Sequence, residues 1–476
     1  MLLAIDQGTT GTTCLVVDRD LRTIGRGYRA LSQHFPAPGL VEHDPDELWE
    51  TVEAAARAAV ADAGVAPSEL VAVGLTNQRE TTLLWDRRSG RPLGRALVWQ
   101  DRRTAARCAE LSRDLIRERT GLVPDPYFSA TKLEWLLARA GAAGDLAFGT
   151  VDSWLAWRLT GEHVTDVSNA SRTMLLGLAS LDWDDELLAL FGVPRSILPR
   201  LVPSSGIVGE AELLGVRLPL AAIAGDQQAA LFGQACVEPG AAKATHGTGS
   251  FVLANAGFEP PAPHEGILAT VAWRLGDAPA VYALEGSVFV TGAAVQWLRD
   301  GLGLLADAAE TEGLARSLDG NEGVYFVPAL AGLGSPHWAP QARGLVTGLT
   351  LGTRREHLAR AALEAIAFQT RDVLDAMRAS GLELGVLRAD GGATANRFLM
   401  QFQADIARMP VELPAERETT ALGAAALAGL AVGVWSSADE VAAAWRCAER
   451  YEPQLPEAEA ERLLAEWRAA VARTLR

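Results

Sequence analysis

Several polar clusters in this 476-residue chain directly follow apolar runs, and each is of a kind that can do chemistry. Leu2 to Ile5 ends in Asp6. A small polar turn, Gln7 to Thr13, follows and leads to a second apolar run, Cys14 to Val17. Leu70 to Leu75 runs into Thr76-Asn77-Gln78-Arg79-Glu80, Leu220 to Gly225 into Asp226-Gln227-Gln228, and Val386 to Ala389 into Asp390-Gly391-Gly392. A carboxylate at a strand end can hold a cation, order a water, or accept the proton of an attacking hydroxyl. A Gly/Thr turn lets a ligand approach the backbone and can form an anion nest without any lysine. Arg79 beside Glu80 pairs a donor with an acceptor; on a surface that contributes little, but in a cleft it can read hydroxyls. Each cluster also has a plain structural reading: an ordinary hairpin around Gly8, or a helix N-cap at Asp226.

The elements that must position these groups alternate between strand and helix. Asp44 and Pro45 read as N-cap and first residue of a helix to about Ala63. Thr82 to Trp85 and Ala96 to Trp99 read as strands. Thr104 to Thr120, Ala130 to Ala140 and Asp182 to Phe191 read as helices. Ala242 to Thr245, the turn His246-Gly-Thr-Gly-Ser250, and Phe251 to Ala254 repeat the opening strand–turn–strand. Two such turns suggest two related lobes facing a shared cleft. Polar clusters at apolar strand ends are where open α/β sheets place ligands. A helix around Gly292 to Gly301, a long one over Glu356 to Ala379, and a helical, charged end complete the reading.

Composition bounds the function. The chain is 49% hydrophobic and 21% charged, which fits a globular α/β protein with a large core. A net charge of −16 argues against a nucleic-acid surface but not against a local nucleotide site. Lys132 and Lys243 are the only lysines. The four scattered cysteines read as reduced and packed, and no charged leader or signal-type segment is evident, so the expected location is cytoplasmic. The uncharged stretch Thr419 to Ser437 is mostly Ala and Gly, which reads as a packed internal helix rather than a membrane span. No Gly-Lys dipeptide, no Gly-x-Gly-x-x-Gly opening a helix and no protein-kinase signature is present.

Over essentially its whole length the sequence resembles the FGGY family of carbohydrate kinases. The resemblance is carried by Ala4-Ile-Asp-Gln-Gly-Thr-Thr10, Val41-Glu-His-Asp-Pro45, Gly74 to Thr81, Val98-Trp-Gln100 and Asp125-Pro-Tyr-Phe-Ser129. It continues through Asn169-Ala-Ser-Arg-Thr-Met174, Ala224 to Gly233, Gly344 to Thr350 with Ala361 to Glu364, and Asp390-Gly-Gly392. Asn77-Gln-Arg-Glu-Thr81 is similar to the glycerol-kinase branch in particular. The resemblance implies two actin-like, ribonuclease-H-like ATPase lobes around a central cleft, with residues 1–243 carrying the polyol side and 244–476 the nucleotide side. It implies transfer of the γ-phosphoryl of MgATP to glycerol in glycerol catabolism, giving sn-glycerol 3-phosphate and ADP, by a homodimer or homotetramer.

By the same resemblance, Asp226 is the base, and Arg79, Glu80, Trp99, Tyr127, Gln227 and Phe251 complete the polyol site. Asp6, with Asp226, would hold Mg²⁺. Thr9, Thr10, Gly11 and Thr13 would face the transferring phosphoryl, Thr248 and Gly249 the other phosphates, and Gly292, Gln296, Gly392 and Asn396 the rest of the nucleotide. The sequence departs from the family pattern at Thr13, where an Arg is usual, and at His246, His337 and Ala339, which replace Tyr, Tyr and Asp. The loop before Arg217 lacks the glycine-rich insertion linked to fructose 1,6-bisphosphate control. Rival readings are a kinase of another small polyol, a non-catalytic nucleotide or polyol sensor, and a filament-forming actin relative.

Overall fold

The computed structural model describes residues 1–141 and 144–476. Its amino-terminal half is built on six strands: β1 (Leu2–Gln7), β2 (Gly11–Val17), β3 (Thr23–Ala30), β4 (Ala72–Asn77), β5 (Ser205–Leu213) and β6 (Val216–Gly225). They lie in the order β5-β6-β4-β1-β2-β3. β1, β4 and β6 are parallel neighbours, and the other pairs are antiparallel. Helix α1 (Pro45–Ala63) packs on β2 and β3 and starts as its sequence suggests. Asp44 accepts from the Asp46 amide at 3.0 Å, and Gly64, at φ 66°, ends the helix. Helix α2 (Val151–Thr160) lies against β5 and β6, and α3 (Asp226–Gly233) leaves the end of β6.

The carboxy-terminal half repeats this plan. Strands β7 (Ala241–His246), β8 (Ser250–Gly257), β9 (Leu268–Trp273), β10 (Val281–Val288), β11 (Val386–Asp390), β12 (Val411–Pro414) and β13 (Cys447–Tyr451) lie in the order β9-β10-β8-β7-β11-β12-β13. From β10 to β13 the pairings run antiparallel, antiparallel, parallel, parallel, antiparallel, as they do from β3 to β5 in the first sheet. β9 is the one addition. Among the helices of this half are α4 (Gly292–Gln296), α5 (Arg355–Ala379), α6 (Arg397–Ala407), α7 (Thr419–Ala431) and α8 (Glu457–Thr474).

Helix α7 holds the halves together. It carries no charge, and almost its whole length is buried. It packs on α3 and on β1, β4 and β6, joining one apolar cluster that reaches from Leu2 and Ala222 to Leu253 and Ala283. Small residues make this possible. A Cβ at Gly423 would overlap the Ala229 carbonyl oxygen, and one at Gly233 would overlap that of Thr419. The uncharged stretch is therefore a packed internal helix, and among the described residues no helix is long and apolar enough to cross a membrane.

Local differences have local causes. Thr104 to Thr120 is two helices, Ala105–Ala109 and Arg113–Thr120, because the Ser112 hydroxyl accepts from the Leu115 amide and restarts the helix. Asp182–Trp183 is a short strand, and the helix that follows, Asp185–Leu190, begins only after the capping Asp184. β2 begins at Gly11, so Thr12 and Thr13 are strand and not turn. Trp99 lies beyond the strand Ala96–Leu97. The final segment also contains the edge strand β13. There Cys447 is exposed, unlike the three buried cysteines, and all four are free thiols. Between β5 and β6 the chain turns through only Leu214 and Gly215, leaving no room for an added effector loop before Arg217.

Candidate active site

Register brings the polar clusters to one edge. Asp6 on β1 pairs with Thr76 on β4, and Thr76 pairs with Ala224 on β6. The residues that follow these three parallel strands, Arg79, Glu80 and Asp226, therefore emerge at the same carboxyl end as Asp6. Asp226 is the first residue of α3 rather than its cap, which is Gly225. The helix start still orients it, since Oδ1 accepts from the Gln227 amide at 2.7 Å. Its side chain keeps 27% of its accessibility, against 2% for Arg79 and 1% for Glu80.

Arg79 is the hub. Its guanidinium grips Glu285 with both terminal nitrogens, at 2.6 and 3.0 Å. It also donates to Gln228 Oε1 and to the Tyr127 hydroxyl at 3.2 Å, while Nε lies 3.2 Å from Asp226 Oδ1. A buried guanidinium must satisfy its donors, and here protein acceptors do so. Glu80 accepts from Arg172 Nε at 2.8 Å, and Arg172 Nη2 returns to Glu285 at 3.0 Å. Glu80 has φ 62°, a left-handed conformation that costs a non-glycine residue about 1–3 kcal/mol. Hydrogen bonds from Thr82 and Ser129 to its carbonyl hold it there. Burial pushes the Glu80 carboxyl up; at Glu285, Arg172 and Arg79 overcome burial and hold the carboxyl down to about 2.

Aromatic rings stand beside this charge. Trp99 meets Tyr127 and Phe251 edge-on, at 5.5 and 6.4 Å between centroids, and its indole N–H donates to Thr9 Oγ1 at 2.9 Å. The first Gly/Thr turn is thereby tied to this aromatic group. The only two lysines are both fully buried here. Lys132 donates to the carbonyls of Pro126, Tyr127 and Phe128 at 2.7–3.0 Å, fixing the segment that presents Tyr127. Lys243 donates to Gln227 Oε1 and to Thr245, and burial pushes its ammonium down to about 8 while Asp390 and Asp226 oppose that shift.

Asp6 is pushed up to about 8 by burial, by Asp226 and by Glu418. Thr13 lies directly opposite it in the β1–β2 ladder and brings no compensating charge. Burial also raises Asp226, against the pull of Arg79 and Lys243. Asp226 is close enough to raise Asp6, and such a pair of carboxylates could hold a hard divalent cation that keeps waters and phosphate oxygens as its other ligands.

The second half offers a matching edge. The turns after β1 and β7 close alike, Gly8 N to Gly11 O and Gly247 N to Gly249 O, each at 2.9 Å. Gly292 and Ala293, at the start of α4, donate back to the carbonyls of Gly247 and Thr248. A side chain at Gly391 would strike the His246 carbonyl, so the turn after β11 lies against the turn after β7, while Gly392 faces open space. Asn396 caps α6 through the Leu399 amide and donates to Thr311, and Gln296 is exposed at the end of α4. His246 is buried with Nδ1 on Ser250 and Nε2 without a partner, an environment in which burial pushes its imidazole down to about 4.

Four polar residues of this network have no role in the sequence reading: Arg172, Gln228, Lys243 and Glu285. Arg172 and Gln228 lie inside recognised stretches, and Lys243 was conspicuous only as a rare lysine. Glu285 is a lone charge in the fully buried strand β10, and that isolation was its only signal.

Comparison with known proteins bears on the family and the fold. The model of the N-terminal domain of the FGGY family of carbohydrate kinases matches residues 1–233, and that of the C-terminal domain matches residues 242–432. Glycerol kinase 2 of Thermotoga maritima is 51% identical, over 100% of this chain and 98% of its own length. Glycerol kinase of Aromatoleum aromaticum is 55% identical over 99% and 98%. Among solved structures, Plasmodium falciparum glycerol kinase with ADP superposes with a TM-score of 0.93 at 34% identity, covering 100% of this chain and 98% of that one.

Proposed function

The chain belongs to the FGGY family of carbohydrate kinases, and on that footing we propose that it is an ATP:glycerol 3-phosphotransferase. It moves the γ-phosphoryl of ATP to a terminal hydroxyl of glycerol, giving sn-glycerol 3-phosphate and ADP. The observation that carries the reading is the meeting of Asp6, Arg79, Glu80 and Asp226 at one sheet edge, walled by Trp99, Tyr127 and Phe251 and faced by two Gly/Thr turns.

Each residue then has a task. Asp226 is the accessible carboxylate and accepts the hydroxyl proton, a role that its raised affinity for protons suits. Glu80 and the Tyr127 hydroxyl read the remaining hydroxyls, and Gln227, held by Lys243, orients the polyol beside Asp226. A site built of such groups rejects deoxy analogues strongly. Thr9, Thr10, Gly11 and Thr13 face the transferring phosphoryl, with Thr248 and Gly249 on the other phosphates. Gly292, Gln296, Gly392 and Asn396 frame the rest of the nucleotide, where the open space at Gly392 admits a ligand against the backbone. Asp6 and Asp226 would hold Mg²⁺, which neutralises phosphate charge during transfer. Residues up to about 240 form the polyol half and those from β7 onward the nucleotide half; the boundary falls before 243/244 because β7 (Ala241–His246) belongs whole to the second sheet, and the assembly is a homodimer or homotetramer acting in the cytoplasm.

Coupled ADP release with MgATP tests the proposal on glycerol, dihydroxyacetone, erythritol and xylulose. Glycerol is expected to give the highest kcat/KM. Asp226→Asn should lower kcat by about 10²–10⁴-fold while glycerol still binds. Preference for another polyol, or full activity in Asp226→Asn, would reject the assignment.

A further inference from the structure

Glu285 enters the site from the opposite half of the molecule. It rises from β10 with no accessible surface and meets Arg79 through two hydrogen bonds and Arg172 through a third. Arg172 is equally buried, pairs with Glu80, and keeps one donor, Nη1, without a partner among the described residues. Its guanidinium lies 5.1 Å from the Phe128 ring and 5.7 Å from that of Tyr127. The ion pairs behind the polyol pocket thus link two guanidiniums, Arg79 and Arg172, to three carboxylates, Glu80, Asp226 and Glu285. Glu285 accepts hydrogen bonds from both guanidiniums.

We propose that Glu285 is a specificity-determining residue that acts as a charge filter. By neutralising Arg79 and Arg172 behind the pocket, it restricts the site to uncharged polyols and excludes carboxylate analogues of the same length. The inference rests on the polyol site assigned above. Without the Glu285 charge, the two guanidinium groups lose the carboxylate that they share and keep only Asp226 and Glu80, so the pocket becomes more positive by one charge close to the substrate. Removing one negative charge about 6 Å from a bound carboxylate, at an effective dielectric of about 20, raises its affinity roughly a hundredfold. Arg172 is the counterweight: its loss leaves excess negative charge and should admit a cationic analogue instead. Both residues act through Arg79 and Glu80 and are positioning residues.

The test compares Glu285→Gln and Arg172→Gln with the wild type, using calorimetric binding of D-glycerate and of 3-amino-1,2-propanediol, one anionic and one cationic relative of glycerol. Glu285→Gln is expected to shift the affinity ratio toward D-glycerate by about ten- to a hundredfold, and Arg172→Gln to shift it toward the amine. A site that is merely loosened weakens both analogues alike, so an unchanged ratio in a folded variant overturns the filter. If one variant fails to fold, the other, with the opposite expected shift, decides. Binding stays measurable whether or not glycerol is turned over. Absent turnover in the wild type therefore counts against the kinase assignment, and an unmoved ratio counts against the filter.

Discussion

Lys243 shows what a single residue does in this site. Its ammonium is fully buried on β7, yet the chain retains it there with only one other lysine in its sequence. Burial lowers its affinity for protons to about 8, so the charge beneath Gln227 and Asp226 is present below that pH and lost above it. The ammonium orients Gln227 and opposes protonation of Asp226, so the charged form is the working one. With MgATP saturating, kcat/KM for glycerol should fall above pH 8, by about tenfold at pH 9, as the ammonium becomes an amine. Lys243→Met should give the low value throughout and lose the inflection; a wild-type profile flat to pH 10 would remove Lys243 from the mechanism. Asp6, also shifted to about 8, titrates with the opposite sign, since it is ionised above that pH. On the Mg²⁺-binding role proposed for Asp6, saturating Mg²⁺ should keep it ionised and out of the profile.

At the scale of elements, α7 decides whether the two sheets can share one site. Gly423 sits where the helix backbone touches the Ala229 carbonyl of α3, and α3 carries Asp226 at its start. Gly423→Ala should cost about 3 kcal/mol, because the atom in the way is main chain and not a side chain that can turn aside. Scanning calorimetry at a fixed heating rate should show a Tm lower by several degrees; an unchanged Tm would mean that α7 has room to shift. This packing marks the boundary of what the sequence discloses. The Ala/Gly stretch announces a close helix contact but not its partner, which lies nearly 200 residues earlier in the chain. Local signals serve well where the physics is local: Asp44, Pro45 and Gly64 define α1, and the apolar runs before Asp6, Arg79 and Asp226 define three parallel strands. They fail where a side chain restarts a helix, as at Ser112. They fail again at β9 and β10, whose continuous burial leaves no alternation to read. Glu285 was lost with β10, because its partners Arg79 and Arg172 are more than 100 residues away. Most of the constellation was legible because its residues follow strand ends; its ion pairing was not, because pairing depends on tertiary neighbours.

For the whole molecule, the repeated sheet plan makes the cleft a meeting of two similar edges, and contacts across it are already dense. Arg79 meets Glu285, Gln227 meets Lys243, Trp99 meets Phe251, and Ser171 meets Thr270. Around this ion-paired interior, the chain carries a net charge of −16. MgATP is also an anion and must approach through that field. The donors assigned to its phosphates are turn amides and hydroxyls, which act only at contact, and Thr13 brings no long-range attraction. Long-range repulsion should therefore slow encounter when salt is low. The screening length shrinks from about 30 Å at 0.01 M to about 8 Å at 0.15 M, less than the reach of charges spread over the surface. kcat/KM for MgATP should rise severalfold over that interval at constant free Mg²⁺, whereas kcat/KM for uncharged glycerol at saturating MgATP should hardly move. Thr13→Arg should reduce the MgATP salt effect by adding a cation beside Asp6. A MgATP kcat/KM that falls as salt is added would show that local attraction at the turns outweighs the field of the whole protein.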